Sequence, residues 1–111
     1  MVRLVTRGCF THAYAKGLVG APEDREPAVR KLVEGAGGKL LNFYFTTGDT
    51  DFTLISEANE AESIIAALLA AVASGTISNV TTARAWTGAE FKAVAEKASK
   101  VASFYRAPGK S

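Results

Sequence analysis

Residues that bind metals or carry redox chemistry are scarce in this chain of 111 residues. Cys9 is the only cysteine and His12 the only histidine. A single cysteine excludes an intramolecular disulfide and a cysteine-rich metal site, and it fits a reducing compartment. One histidine makes no zinc site unless a second copy adds ligands. We therefore predict no metal site and a cytoplasmic location.

Excess charge of one sign and long apolar runs are also missing. Thirteen Lys and Arg face eleven Asp and Glu, which leaves a net charge of +2, and the basic residues form no stripe that would attract nucleic acid. Residues 64–73, the most apolar segment, have about half the length of a membrane crossing. Arg3 and Arg7 interrupt the first apolar stretch, unlike a signal peptide. We expect a soluble protein with neither a membrane nor a nucleic acid as partner.

The common cofactor and nucleophile motifs are absent as well. The sequence contains no GxGxxG loop, no GxxxxGK[ST] loop, no GxSxG elbow and no CxxC pair. Nucleotide cofactors and serine-hydrolase chemistry therefore find no support, and we predict no cofactor.

The residue patterns that are present predict alternating strands and helices. Runs rich in Val, Thr, Phe, Tyr and Ile predict strands over residues 2–10, 39–47, 51–57 and 76–86. Between the first two strands, Gly17, Gly20 and Pro22 predict a loop over residues 11–22, with at most a short turn at 13–16. An amphipathic helix is predicted from Glu23 to the Gly37-Gly38 pair.

Two further helices are predicted from capping-box patterns. Asn59 followed by Glu62 resembles one box, and Thr87 followed by Glu90 resembles another. The resulting order is ferredoxin-like, βαββαβ with a C-terminal helix, and it gives an α+β domain with a four-stranded antiparallel sheet. We expect one such domain over residues 1–106 and a flexible tail over residues 107–111.

The sheet face without helices is predicted to be covered by a partner. If strands alternate without interruption, Leu41, Phe43 and Phe45 oppose Leu40, Asn42 and Tyr44, and in the last strand Val80, Thr82, Arg84 and Trp86 oppose Ile77, Thr81, Ala83 and Ala85. Both faces then carry bulky side chains, so we predict a homodimer whose sheets face each other. The same order occurs in RNA-binding RRM domains, but the strand "DTDFTLISE" lacks their basic and glycine-rich pattern.

Three segments resemble the GYD domain family: "GGKLLNFYFTTGDTDFTLISEAN", "NVTTARAW" and "TGAEF". The resemblance covers roughly residues 3–98, and the family signature maps onto Gly48, Thr50, Asp51 and Phe52, with Thr50 at the position of the signature tyrosine. The resemblance implies a fold of the dimeric α+β barrel type in a family without an established activity. Related barrel families include oxygenases, haem-handling enzymes and isomerases, an analogy of fold alone.

Five residues are candidates for a functional site. His12, at the end of the first strand, and Asp51, at the family's aspartate position, are candidate catalytic residues because they exchange or hold protons. Tyr44, Arg84 and Trp86 are candidate ligand-binding residues. Structural alternatives exist for these residues. Gly48-Asp49 can form the hairpin turn that precedes Asp51. Arg84 can pair with an acidic neighbour, and the aromatic residues can fill a core or an interface.

Two functions from different classes follow. The first is a homo-oligomeric protein that binds a small organic molecule, with or without catalysis, in a pocket between the sheet and the helices or inside the dimer. The second is a non-catalytic assembly or regulatory module that acts through its sheet face. A partly polar cavity with converging side chains favours the first, and a filled interface favours the second.

Overall fold

A computed structural model describes residues 1–109, which form one sheet and four α-helices. The strands are β1 (Val2–Phe10), β2 (Lys39–Phe45), β3 (Phe52–Ala58) and β4 (Ile77–Ala85). The helices are α1 (His12–Gly20), α2 (Glu26–Gly35), α3 (Ala61–Ala73) and α4 (Gly88–Val101), with a 3-10 turn at Ala102–Phe104. The strands are antiparallel in the order β2-β3-β1-β4, which confirms the predicted ferredoxin-like α+β fold.

The core lies between the sheet and the helices α2 and α3. Strand β3 alternates regularly: Phe52, Leu54 and Ala58 are buried towards the helices, whereas Thr53 and Ile55 lie on the other face and are half-buried. Ile64 of α3 is 1% exposed and packs in the same cluster. Alternation in the central strands therefore gives the sheet one face that packs on helices and one that carries none.

Two β-bulges correct the predicted strand faces. In β2 the register shifts between Leu40 and Asn42, so Leu40 is buried in the core on the same face as Phe43, whereas unbroken alternation placed them on opposite faces. A second shift occurs in β4, where Asn79 has a φ of 51°. Asparagine tolerates this left-handed conformation. The extra residue puts Ile77 on the helix side together with Val80, so the predicted opposition of these two side chains is wrong.

The segment predicted as a loop after β1 contains a nine-residue helix, α1. Thr11 caps it, because its hydroxyl accepts the backbone N–H of Tyr14 at 3.4 Å. Gly17 and Gly20 weaken a helix by about 1 kcal/mol each without preventing it. No residue of α1 is buried. The predicted loop is wrong because the Thr11 cap supports a helix that the two glycines do not prevent.

Helix α2 ends as the sequence predicts. The N–H groups of Gly37 and Gly38 donate to the carbonyls of Glu34 (3.0 Å) and Val33 (2.9 Å), and Gly37 has a φ of 93°. These two bonds form a Schellman motif, which satisfies carbonyls that the last helical turn leaves unpaired. The following chain is thereby turned directly into β2.

The capping box expected at Asn59 is wrong, and the one expected at Thr87 is confirmed. Helix α3 has Glu60 as its N-cap and no side-chain capping bond. At the start of α4, the Thr87 hydroxyl accepts the N–H of Glu90 at 3.1 Å, and the Glu90 carboxylate accepts the N–H of Thr87 at 2.7 Å. Only the second pattern begins one residue before its helix, which is where a capping residue must lie.

Helix α4 is peripheral. None of its residues is buried, and Phe91 and Val94 remain 48% and 38% exposed. The described chain measures 64 × 31 × 22 Å with a radius of gyration of 18.1 Å, whereas a compact domain of this length has about 13 Å. Within the described residues, no helix has the length and hydrophobicity to cross a membrane. Of the tail predicted over 107–111, residues 108–109 form a turn and 110–111 lie outside the described residues.

Candidate ligand-binding site

An apolar cavity of about 110 Å³ lies between the sheet and the helices α2 and α3. Its walls come from three elements that each turn an apolar face inward. The sheet supplies Phe43, Phe52 and Leu54, α2 supplies Val29, Leu32 and Val33, and α3 supplies Ile64, Ala67 and Leu68. The cavity thus lies between the apolar faces of the sheet and the two helices, whose side chains do not fill it.

Aromatic and cationic side chains line the end of this cavity that adjoins a second cleft, which we call its mouth. The ring of Tyr14 is stacked on that of Phe10, with centroids 4.2 Å apart and planes within 1°. The guanidinium carbon of Arg25 lies 5.6 Å from the centroid of the same tyrosine ring. Thr76 completes the polar part of the lining. We call Phe10, Tyr14, Arg25 and Thr76 the mouth residues.

Local hydrogen bonds hold the mouth residues in place. Thr11 follows β1, and its N–H donates to the Thr76 carbonyl at 3.0 Å while its hydroxyl donates to the Gly75 carbonyl at 2.7 Å. The same hydroxyl caps α1 and so fixes Tyr14 one turn further along. The end of β1 is therefore fastened to the start of β4, and Tyr14 is directed over the cavity.

Arg25 is the one charged residue among the described lining of the cavity. Its Nη1 donates to the Glu23 carboxylate at 3.3 Å, and its side chain is 32% exposed. Interaction with Tyr14, and then with Glu23, raises the pKa of Arg25 above its usual value against the opposing effect of burial. The mouth therefore carries a positive charge at every pH at which proteins are folded. A second cleft of about 220 Å³ adjoins it and shares Tyr14, Arg25 and Thr76.

A third, more polar cavity of about 310 Å³ lies where β1 begins and β4 ends. Arg3 donates to the Glu90 carboxylate at 2.7 Å, and this bond, with the backbone N–H of Thr87, lowers the pKa of Glu90 to about 2. The guanidinium carbon of Arg84 lies 4.9 Å from the centroid of the Trp86 ring. The Arg3–Glu90 pair joins α4 to the sheet beside this cavity, whereas the Arg84–Trp86 contact lies at the end of β4.

A family model of the GYD domain matches residues 5–95. The chain belongs to the GYD domain family. The match runs from β1 into α4 and so includes the cavity, its mouth and the β2–β3 hairpin. No protein of curated function matches the sequence significantly.

The GYD signature of this chain lies in the β2–β3 hairpin and makes structural contacts. The Asp51 carboxylate accepts the backbone N–H of Phe10 at 2.9 Å, and its own N–H donates to the Gly8 carbonyl at 2.8 Å. The Thr46 hydroxyl donates to the Thr50 carbonyl at 2.9 Å, a backbone contact that does not depend on a tyrosine side chain at this position. Asp51 thus fastens the hairpin to the end of β1, beside the mouth residue Phe10.

The five candidate residues do not converge on one site of this GYD domain. Arg84 and Trp86 line the polar cavity together, whereas His12, Tyr44 and Asp51 line none of the three cavities. His12 is exposed at the start of α1. Tyr44 lies on an outer strand, β2, and Arg84 on the opposite outer strand, β4, which places their backbones more than about 14 Å apart at the usual strand spacing.

Tyr14 and Arg25 are the residues that sequence reasoning missed. Tyr14 lies in the segment predicted as a loop, and Arg25 lies in the first turn of the helix predicted from Glu23, so neither was assigned to a site. The Thr11 cap was the available signal for Tyr14, because a capping hydroxyl implies a helix whose first turn faces the strand end. Among the described residues, no three His, Cys, Asp or Glu side chains come together as metal ligands.

Proposed function

We propose that this GYD protein is a homodimer that binds a small organic molecule in the apolar cavity between its sheet and helices. The observation that carries the proposal is the cavity of about 110 Å³ with its aromatic and cationic mouth. A cytoplasmic location is part of the proposal, because the single cysteine, Cys9, fits a reducing compartment. Catalysis is not part of it.

The cavity argues for binding because its lining is mostly apolar and its mouth leaves it accessible. A bound molecule with an apolar body removes that lining from water, and each buried CH₂ group contributes about 0.8 kcal/mol. The volume suits a body of about one ring, since an engineered apolar cavity of about 150 Å³ binds benzene.

The dimer is proposed from the sheet face that carries no helix. Its centre is an apolar row across three strands, in which Ile55 pairs with Val5 and Val5 with Ala83. Polar pairs flank the row, Thr53 with Arg7 on one side. Burying a side chain such as Val or Ile contributes about 1.5–3 kcal/mol. A second copy placed face to face covers this row, as an isologous contact requires.

Helix α4 adds a second apolar surface for the same partner. Phe91 and Val94 are three residues apart and share one side of the helix, and the Phe91 ring contacts Trp86 edge-on with centroids 5.7 Å apart. An amphipathic helix without a covered face gains its stability from packing on another surface. The elongated protomer supports a second copy as that surface.

Filling the cavity tests the binding half of the proposal. Ala67 lines the cavity and is buried, whereas Ala66 on the same helix is exposed. Ala67→Leu is expected to abolish the NMR shifts that a ring-sized probe such as benzyl alcohol causes in the wild type, and Ala66→Leu to preserve them. Unchanged binding by the Ala67→Leu variant, with its fold intact by circular dichroism, would contradict a ligand in this cavity.

A charge on the sheet face tests the dimer. Ile55→Lys is expected to give a monomer by light scattering at a protein concentration where the wild type is dimeric. Val19→Lys is the matched control, because Val19 is 80% exposed on α1, away from the sheet face. A monomeric wild type at tens of micromolar would contradict the dimer. The alternative function, an assembly module that acts through its sheet face, is favoured by the apolar row, and it predicts a dimer that binds none of the probes.

A further inference from the structure

We propose that the ligand of the apolar cavity is a small molecule with a ring-sized apolar body and an anionic head, which the Arg25 guanidinium binds at the mouth. The inference rests on the proposed function, because it assigns a chemical class to the ligand of the same cavity. It follows from three features of the mouth residues: the position of the single charge, the packing of the guanidinium against Tyr14, and the weakness of its present partner.

The single charge lies at one end of an otherwise apolar space. The polar groups of the described lining are Tyr14, Arg25 and Thr76, the three residues that the cavity shares with the adjoining cleft, and the other lining residues are aliphatic or aromatic. A molecule that fits such a space has its apolar part inside and its polar part at the entrance. Arg25 can only donate hydrogen bonds, and the Tyr14 hydroxyl can donate one. The Thr76 hydroxyl, in contrast, donates its proton to Ser74 at 2.7 Å, because Ser74 donates its own to the Ala71 carbonyl at 2.6 Å. The entrance therefore selects a head group that accepts hydrogen bonds, and a negative head group above a neutral one.

The guanidinium of Arg25 packs against an aromatic pair. Its carbon lies over the Tyr14 ring at 5.6 Å from the centroid, and the Phe10 ring is stacked on the same tyrosine at 4.2 Å. The planar fork of a guanidinium matches a carboxylate bidentately. Because this packing limits the movement of Arg25, less conformational freedom is lost when a ligand binds.

The present partner of Arg25 is replaceable. Glu23 accepts from one nitrogen at 3.3 Å, and its side chain is 58% exposed. A single long ion pair at the surface contributes little to stability. A ligand carboxylate that enters from the cavity side meets the same guanidinium in a drier environment, where charge-assisted bonds are stronger. Glu23 then opposes the ligand by like-charge repulsion, so its removal strengthens binding.

Benzoate and benzyl alcohol separate this inference from the proposed function, since both carry one ring and only benzoate is charged. We expect wild-type protein to bind benzoate at least tenfold more tightly than benzyl alcohol in NMR titrations at pH 7. Arg25→Gln is expected to remove that difference, and Glu23→Gln to increase benzoate affinity a few-fold. Lys31→Gln is the control for loss of a positive charge, since Lys31 is exposed on α2, the helix that follows Arg25, and lies outside the lining; it leaves the preference unchanged.

The outcomes test the anionic head group separately from the small-molecule cavity itself. Equal affinities for the two probes in the wild type, or a preference that survives Arg25→Gln, overturn the anionic head and leave a small-molecule cavity in place. Failure of both probes to bind, at concentrations where their shifts would be measurable, overturns the proposed function as well. If Arg25→Gln disturbs the start of α2, Arg25→Lys serves instead: it keeps the charge, loses the fork, and is expected to weaken benzoate binding while benzyl alcohol is unaffected.

Discussion

The same added methyl group should change the stability of the protein differently at each of the three glycines at the end of α2. Gly38 lies where α2 meets β2 and α3: a Cβ there would be 2.7 Å from Cδ1 of Ile64, 3.1 Å from Cγ1 of Val33 and 3.2 Å from the Glu57 carbonyl oxygen. Carbon atoms at optimal separation are about 3.5–4.0 Å apart. The Ile64 methyl group must therefore retreat by about 1 Å in Gly38→Ala.

The expected cost of Gly38→Ala is about 1–3 kcal/mol, the usual penalty for overpacking a core. Ile64 and Val33 both line the apolar cavity and can move partly into it, but the Glu57 carbonyl belongs to the backbone of β3 and cannot. Relaxation into the cavity should reduce its volume, so the same variant should also weaken binding of ring-sized probes.

The neighbouring glycines are matched controls with different physics. A Cβ at Gly35 has no atom within 4 Å, so Gly35→Ala should stabilise the protein by up to about 1 kcal/mol through helix propensity. Gly37 has space but a φ of 93°, so Gly37→Ala should cost about 1–2 kcal/mol of backbone strain.

Urea unfolding followed by circular dichroism measures all three free energies, at one fixed protein concentration because association adds to stability. Wild-type stability in Gly38→Ala would refute the close packing of Ile64 against the end of α2. A loss of stability in Gly35→Ala as large as that in Gly38→Ala would refute the contrast between them.

Three further predictions concern single polar groups. The buried Ser56 hydroxyl has no hydrogen-bond partner among the described residues, so Ser56→Ala should stabilise the protein by about 1 kcal/mol in urea unfolding, and a clear loss would indicate a partner. Asp51→Ala removes the acceptor of the Phe10 N–H and should cost about 1–2 kcal/mol, whereas Asp51→Asn, which can still accept, should cost less; equal losses would point to the charge itself. The folded pKa of Glu90, about 2, lies below its ordinary 4.5, so its stabilisation is present above pH 4.5 and disappears as the pH falls towards 2. The helical signal of the wild type should therefore decrease over that range relative to Glu90→Gln, and parallel curves would contradict the Arg3–Glu90 pair.

Local rules in the sequence account for most of the fold of this GYD domain. The strand alternation of β3, the Gly37-Gly38 end of α2 and the Thr87–Glu90 box each depend on neighbours within a few residues, so they can be recognised without tertiary information. The strand and helix patterns were sufficient to predict the element order apart from α1, and the resemblance to the family implied the same fold. The composition also indicated that few redox or metal-binding groups are available.

The tertiary structure decided where side chains meet. The bulges in β2 and β4 depend on pairing with β3 and β1, and each reverses the faces that strict alternation predicts for residues on its two sides. Tyr14 and Arg25 are eleven residues apart in the sequence, and their contact depends on how α1 and the start of α2 pack, which no local pattern fixes. Asp51 became a structural link for the same reason, since its partner, the Phe10 N–H, lies on another strand. Sequence spacing fixes local conformation, but a cavity and its mouth are made of long-range contacts, and those exist only once the sheet has assembled.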